Sequence, residues 1–173
     1  SLAMQVEAIS QGLANASFLA IPIFLISASP LTQLSTIEII GFTIFIISMV
    51  LETVADYQKL SFLREMKRQN KQNMVCDIGL WKYTRHPNYF AEWMVWNGLI
   101  IASIPSFLAL FESEVLWIWT LIGIALLYTS RIMYITLVYL TGAIPSEYYS
   151  AQKRPAYKVY QQSTNIFFPG FKK

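Results

Sequence analysis

The chain has 173 residues, of which 55% are apolar and only 13% charged, with a net charge of +3 and a mean hydropathy of +0.44. A soluble domain carries roughly 25% charged residues, and a small domain has too much surface per unit volume to bury this much apolar material. An ordinary soluble globule is therefore excluded, and the excess must face lipid.

The start, Ser1-Leu2-Ala3, has neither an initiator Met nor a basic segment. It does not read as a signal peptide and is expected to be the front of a processed or truncated product. Four apolar windows then follow, each able to supply the 17 to 25 residues or so that a spanning helix needs. They are Leu13 to Ser29, Ile37 to Val54, Phe90 to Leu110 and Val115 to Leu140. Pro22 and Pro105 lie inside the first and third, where each marks a kink, a helix end, or a carbonyl satisfied by a neighbouring helix. The fold class expected is all-α: an integral membrane bundle of about four transmembrane helices in a single membrane domain, 1–173, with a polar loop and a C-terminal tail. There is no internal repeat and no soluble second domain.

Basic residues are distributed unevenly. Lys59, Arg64, Lys67, Arg68, Lys71, Lys82 and Arg85 crowd the loop after the second window, and Lys153, Arg154, Lys158, Lys172 and Lys173 fill the tail. The connections 28–36 and 111–114 contain no Lys or Arg. The positive-inside rule puts the loop and tail in the cytoplasm. Trp117 and Trp119 then suit an outer interfacial belt, and Trp81 and Trp93 an inner one. The single cysteine, Cys76, excludes an intramolecular disulfide framework and falls on the reducing side.

The polar residues inside or beside the windows carry the functional information, because an ionisable group at that depth faces a wet cavity or the bundle interior. Glu52 and Asp56 are four apart, on one helical face, with Lys59 three further on. Glu92 lies one turn after Asn88, and Arg131 falls within the fourth window. Either these groups pair, Arg131 with Glu92 or Glu52 and Asp56 with Lys59, or they line a site. In Tyr83-Thr84-Arg85-His86-Pro87-Asn88-Tyr89, Pro87 suits the first position of a helix, whose open N–H groups favour an anion beside Arg85 and His86. A lipid-headgroup anchor is the alternative. With one histidine and no CxxC or HExxH pattern, no metal site is expected. In the tail, Tyr157 and Tyr160 would share a helical face with Arg154, able to stack a purine and neutralise phosphate. An amphipathic tail lying on anionic lipid is the alternative there.

From Glu52-x3-Asp56-x-Gln58-Lys59, through Gly79-Leu80-Trp81-x-Tyr83-x-Arg85-His86-Pro87-Asn88-Tyr89-Phe90-x-Glu92, to Lys153-Arg154-Pro155-x-Tyr157-x2-Tyr160, the chain resembles the bacterial steroid 5-alpha-reductase-like membrane family. The likeness covers 52–169. Its Arg-His-Pro-x-Tyr core also resembles isoprenylcysteine carboxyl methyltransferases, which bind S-adenosylmethionine. Ala91 stands where the reductase family commonly has glycine.

The reductase resemblance implies a membrane enzyme that reduces a lipid or steroid-like enone C=C bond with NADPH, in a pocket facing the cytoplasm. Asp56, Asn88 and Glu92 would contact the cofactor, with Glu52, Tyr83, Arg85, His86, Tyr89, Arg154 and Tyr157 as further wall or phosphate contacts. It assigns no catalytic residue, since the carbonyl-activating donor would come from helices nearer the N-terminus. The expected partners are membrane lipid and an apolar small-molecule substrate, and no nucleic acid. An S-adenosylmethionine-dependent methyltransferase and a non-catalytic membrane fragment or subunit are the alternatives.

Overall fold

The computed structural model describes residues 19–172. Among these every regular element is helical. We number the α-helices α1 (Ala20–Ser27), α2 (Thr36–Arg68), α3 (Pro87–Ala109), α4 (Leu116–Ile135), α5 (Ala143–Lys153) and α6 (Ala156–Ser163). Three stretches are long and apolar enough to cross a bilayer: Thr36–Arg68, Pro87–Glu112 and Leu116–Lys153. They carry outward-facing aliphatic side chains such as Ile46, Ile47 and Leu127, and mark the chain as a multi-pass integral membrane protein. The second, third and fourth apolar windows each became a long helix. Of the first, only the segment from residue 19 is described, as α1 with Pro22 buried in its first turn; Leu13 to Phe18 lie outside the described residues.

Two boundaries differ from the apolar windows. α2 continues beyond Val54 to Arg68, because its polar extension is rich in Leu, Lys, Arg, Glu and Met, all good helix formers. After α4 the chain passes through one π turn, Thr136–Leu140, before α5. Pro105 sits inside α3 without ending it.

The chain divides into two compact units. The first, described from residue 19, runs to Phe45 and takes in Val95–Met133. It opens α2 with a reciprocal cap: Ser35 N–H donates to Glu38 Oε2 at 2.7 Å, and Glu38 N–H donates to Ser35 Oγ at 3.2 Å, satisfying two donors that the first turn would leave open. Gly41 lets α2 touch α3, since a Cβ there would lie 2.3 Å from the Ala102 nitrogen. Such close backbone approach through small residues is how helices associate in lipid, where burying oil gives no drive. Ser130 donates to Asn97 Oδ1 at 2.8 Å. Trp119 stacks on Phe107 at 4.7 Å and donates to its carbonyl at 3.0 Å, while Trp117 is exposed.

The second unit comprises Ile46–Met94 and the segment from Tyr134 onward. Its centre is a 3₁₀ turn, Gly79–Lys82, clamped to α2. Gln58 Oε1 accepts from Leu80 N–H at 2.9 Å, and Trp81 Nε1 donates to the Ala55 carbonyl at 2.9 Å. Gly79 is required by its φ of +54°, and because Gln58 fills the space a Cβ would need. Trp81 is thus no interfacial ring: it is 3% exposed, a wedge between turn and helix, because its N–H finds a carbonyl partner inside the protein.

Candidate functional site

The segment before α3 is held by the C-terminal part of the chain. Thr84 Oγ1 donates to the Phe167 carbonyl at 2.9 Å, Arg85 N–H to the Asn165 carbonyl at 2.9 Å, and Gly170 N–H to the Tyr83 carbonyl at 2.9 Å. The Tyr160 hydroxyl donates to the Trp81 carbonyl. Phe167 closes this strap against Phe90, Trp93 and Tyr134, with ring centroids 5.2–6.0 Å apart. Trp93, expected at the interface, therefore belongs to this aromatic cluster.

Arg85 and His86 face inward on Glu147 of α5. Arg85 Nε and Nη2 donate to Glu147 Oε1 and Oε2 at 2.7 and 3.0 Å, a bidentate pair. Its Nη1 reaches the carbonyls of Gln161 and Thr164. His86 Nε2 lies 2.9 Å from Glu147 Oε1, and Gln161 Nε2 donates to Oε2 at 2.8 Å. Both charged side chains are under 10% exposed, so one cation and one anion neutralise each other and nearly every polar atom is satisfied. Tyr157, buried in α6, has its hydroxyl beside the same carboxylate. Burial, and then that negative charge, push the Tyr157 phenol well above its ordinary value and keep it protonated.

His86 is neutral for a parallel reason. Burial pushes its pKa below the ordinary 6.5; Glu147 opposes this, and Lys59 and Arg85 add to it. Facing an anionic acceptor, Nε2 carries the ring proton. In the unfolded chain the ring takes up a proton as pH falls through its ordinary range, whereas in the folded chain it resists, so stability is full above about pH 6.5 and declines below it. Thermal unfolding between pH 8 and 5 should show this decline, and His86→Gln should flatten it; an unchanged slope in the variant would assign the acid sensitivity elsewhere.

The second cluster is acidic and belongs to α2 and α3. Glu52, Asp56 and Glu92 lie within one another's electrostatic reach, and Tyr89 within that of Asp56 and Glu92. The Tyr89 ring stacks on His86, with centroids 5.2 Å apart and planes parallel, which ties this cluster to the Arg85–Glu147 lock. One turn before Glu92, the Asn88 Oδ1 acceptor is buried without a hydrogen-bond partner among the described residues. Lys59 does not close an ion pair with Asp56; its Nζ lies 4.4 Å above the Trp81 ring, a cation–π contact. No three of the His, Cys, Asp and Glu side chains are close enough together to hold a metal ion, among the described residues.

Of the residues singled out in the sequence, the structure therefore joins Glu52, Asp56, Tyr89 and Glu92, with Asn88 beside them, and separately joins Arg85, His86 and Tyr157. The Tyr83 side chain stands apart: the residue is 47% exposed, and its ring meets Phe171 edge to face at 6.4 Å. Arg154 does not continue the face of Tyr157 and Tyr160. It follows α5 in extended conformation, because the residue before Pro155 is pushed out of the helical region. Tyr157 and Tyr160 do share the buried face of α6, packed edge to face at 5.7 Å. The residue that sequence reasoning missed is Glu147. The available signal was charge accounting, since an arginine beginning an apolar helix needs an acid, and Glu147 stands in a stretch with no other carboxylate.

Residues 6–164 match the family described as "Protein of unknown function (DUF1295)". The chain belongs to the DUF1295 family. Within that family's matched span lie both the acidic cluster and the lock. The uncharacterized protein C594.04c of Schizosaccharomyces pombe is 26% identical over 145 residues, covering 75% of this chain and 38% of that relative. This DUF1295 member thus spans less than half the length of the curated relative it matches. No solved structure matches the chain.

Proposed function

We propose that the chain is a membrane-bound NADPH-dependent reductase of a lipid or steroid-like enone double bond, or the cofactor-binding part of one, with its site open to the cytoplasm. The observation that carries this reading is the convergence of Glu52, Asp56, Tyr89 and Glu92 where two membrane-crossing helices meet. Acids in such helices are costly and are kept where they serve a site. The DUF1295 family is distantly related to the steroid 5-alpha-reductase-like families, which supports the same direction.

The residues fit a dinucleotide. Asn88 Oδ1 is a buried acceptor lacking a donor among the described residues, which a carboxamide N–H would satisfy; Glu52, Asp56 and Glu92 would be acceptors for ribose hydroxyls. When bound, the cofactor supplies a hydride to an electron-poor double bond. The chain's part is to hold and orient. The Arg85–Glu147 lock fixes the start of α3, His86 braces the Tyr89 ring, and Tyr89 offers a hydroxyl at the rim of the acidic cluster. Arg154 provides a cation for phosphate.

A second reading is favoured by one feature: three carboxylates beside an aromatic ring also suit a sulfonium cation, as in an S-adenosylmethionine-dependent methyltransferase. A third reading is a non-catalytic membrane subunit. The test is thermal unfolding of the detergent-solubilised chain with NADPH, NADH or S-adenosylmethionine, since a ligand of the native state at 100 times its Kd adds about 2.7 kcal/mol. NADPH should raise the melting temperature. A response to S-adenosylmethionine alone selects the methyltransferase, and silence with all three selects the subunit.

A further inference from the structure

At the turn that closes α2, neither Lys67 nor Lys71 makes an ion pair among the described residues. Asn70 takes the left-handed conformation, with φ of 54°, and Lys71 N–H returns to the Met66 carbonyl at 2.9 Å, so the chain doubles back. Beside this turn lies a cleft of about 160 Å³ lined by Lys67, Lys71, Gln72, Asn73, Met66 and Arg154, among others. Among the described residues no carboxylate lines it. Glu65 nearby is already engaged by Arg68 and Gln69, and Asp77 by Lys172.

Lys67 and Lys71 alone would be ordinary complements to the negative end of a helix dipole. Arg154 is different. It is delivered from the junction of α5 and α6, in extended conformation, and its charge also bears on Lys59. A third cation beside two others adds repulsion that a bound anion would relieve. The pocket's chemistry is that of phosphate recognition: a planar guanidinium fork, two ammonium groups, and the amide donors of Gln72 and Asn73.

Its depth selects the source. Lys67 follows the end of the apolar window, Val54, by 13 residues, or about 20 Å along a helix axis. A headgroup layer adds only about 5–8 Å per side to the hydrocarbon, so the cleft stands in water. From Asp56 to Lys67 is about 16 Å along the same helix, within the span of an extended dinucleotide that begins at the acidic cluster.

We infer that Lys67, Lys71 and Arg154 form a binding site for a phosphate monoester of a soluble nucleotide. That this is the adenosine 2′-phosphate, which distinguishes NADPH from NADH, rests on the reductase reading; the phosphate site itself does not.

The experiment uses the full chain in phosphatidylcholine nanodiscs and compares it with the exposed double variant Lys67→Gln/Lys71→Gln, checked for unchanged circular dichroism. The probes are adenosine 2′,5′-bisphosphate, adenosine 5′-monophosphate, NADPH and NADH, with phosphatidylglycerol nanodiscs as a separate arm. The bisphosphate should raise the parent's melting temperature more than the monophosphate does. The variant should bind the bisphosphate at least about tenfold more weakly, the loss expected from removing charge-assisted bonds, while its response to NADH is unchanged. Equal binding by parent and variant overturns the site. Stabilisation by phosphatidylglycerol and by none of the nucleotides overturns it in favour of a lipid headgroup. If the bisphosphate binds in a lysine-dependent way and neither NADPH nor NADH does, the phosphate site stands and the reductase reading falls.

Discussion

Glu147→Ala is expected to lower stability by about 3–5 kcal/mol, the range for removing one partner of a buried ion pair. The variant leaves the Arg85 guanidinium, under 10% exposed in its side chain, without the carboxylate that takes two of its donors. It also strips acceptors from His86 and Gln161. Three structural elements lose a shared fastening at once: the segment before α3, α5 and α6. A double variant, Arg85→Met/Glu147→Leu, should recover much of the loss, because the larger cost is an isolated charge rather than a missing attraction. Thermal unfolding of the parent, Arg85→Met, Glu147→Leu and the double variant measures the coupling directly. If Glu147→Ala melts with the parent, the lock contributes nothing to stability.

Glu92→Ala should abolish stabilisation by NADPH and leave helical content unchanged. Glu92 lies half-buried on α3 in the field of Glu52 and Asp56, and among the described residues no hydrogen bond or ion pair fastens its side chain. Removing it relieves repulsion among the carboxylates, so the apo protein should be no less stable than the parent. The two variants thus separate two roles. Loss at Glu147 is structural and is read without ligand; loss at Glu92 is read only with ligand. A Glu92→Ala protein that responds to NADPH like the parent would make the carboxylate dispensable for binding and remove the main support for the reductase reading.

The membrane class and three of the helices were legible because hydropathy is summed over twenty residues and tolerates local exceptions. The start of α3 was legible too, since Pro87 suits a first helical position and Arg85-His86 announce a polar junction. The length of α2 was not, because hydropathy reports oil rather than helicity and falls silent where Lys59 to Arg68 continue the helix in water. Nor was the destination of Arg85. Its partner is 62 residues away, with no periodicity linking the two, and an arginine beside a helix start reads equally well as an anion site. Trp81 misled in the same manner: an indole near a membrane end is usually interfacial, and only the Ala55 carbonyl explains its burial. The acidic cluster was half visible. The four-residue spacing of Glu52 and Asp56 put them on one face, but that α3 would bring Glu92 to the same place is a fact of packing.

The lock also orders events during synthesis. Arg85 leaves the ribosome well before Glu147, Gln161 and Thr164, so its guanidinium must wait at the membrane surface, hydrated or borrowed by lipid phosphate, until the last helices emerge. The second unit cannot mature progressively from its N-terminal side; its closure is a late step that the strap at residues 164–170 completes. Quality control that probes for unpaired charge at the membrane surface would therefore have a natural checkpoint in this protein, set by the arrival of a single glutamate.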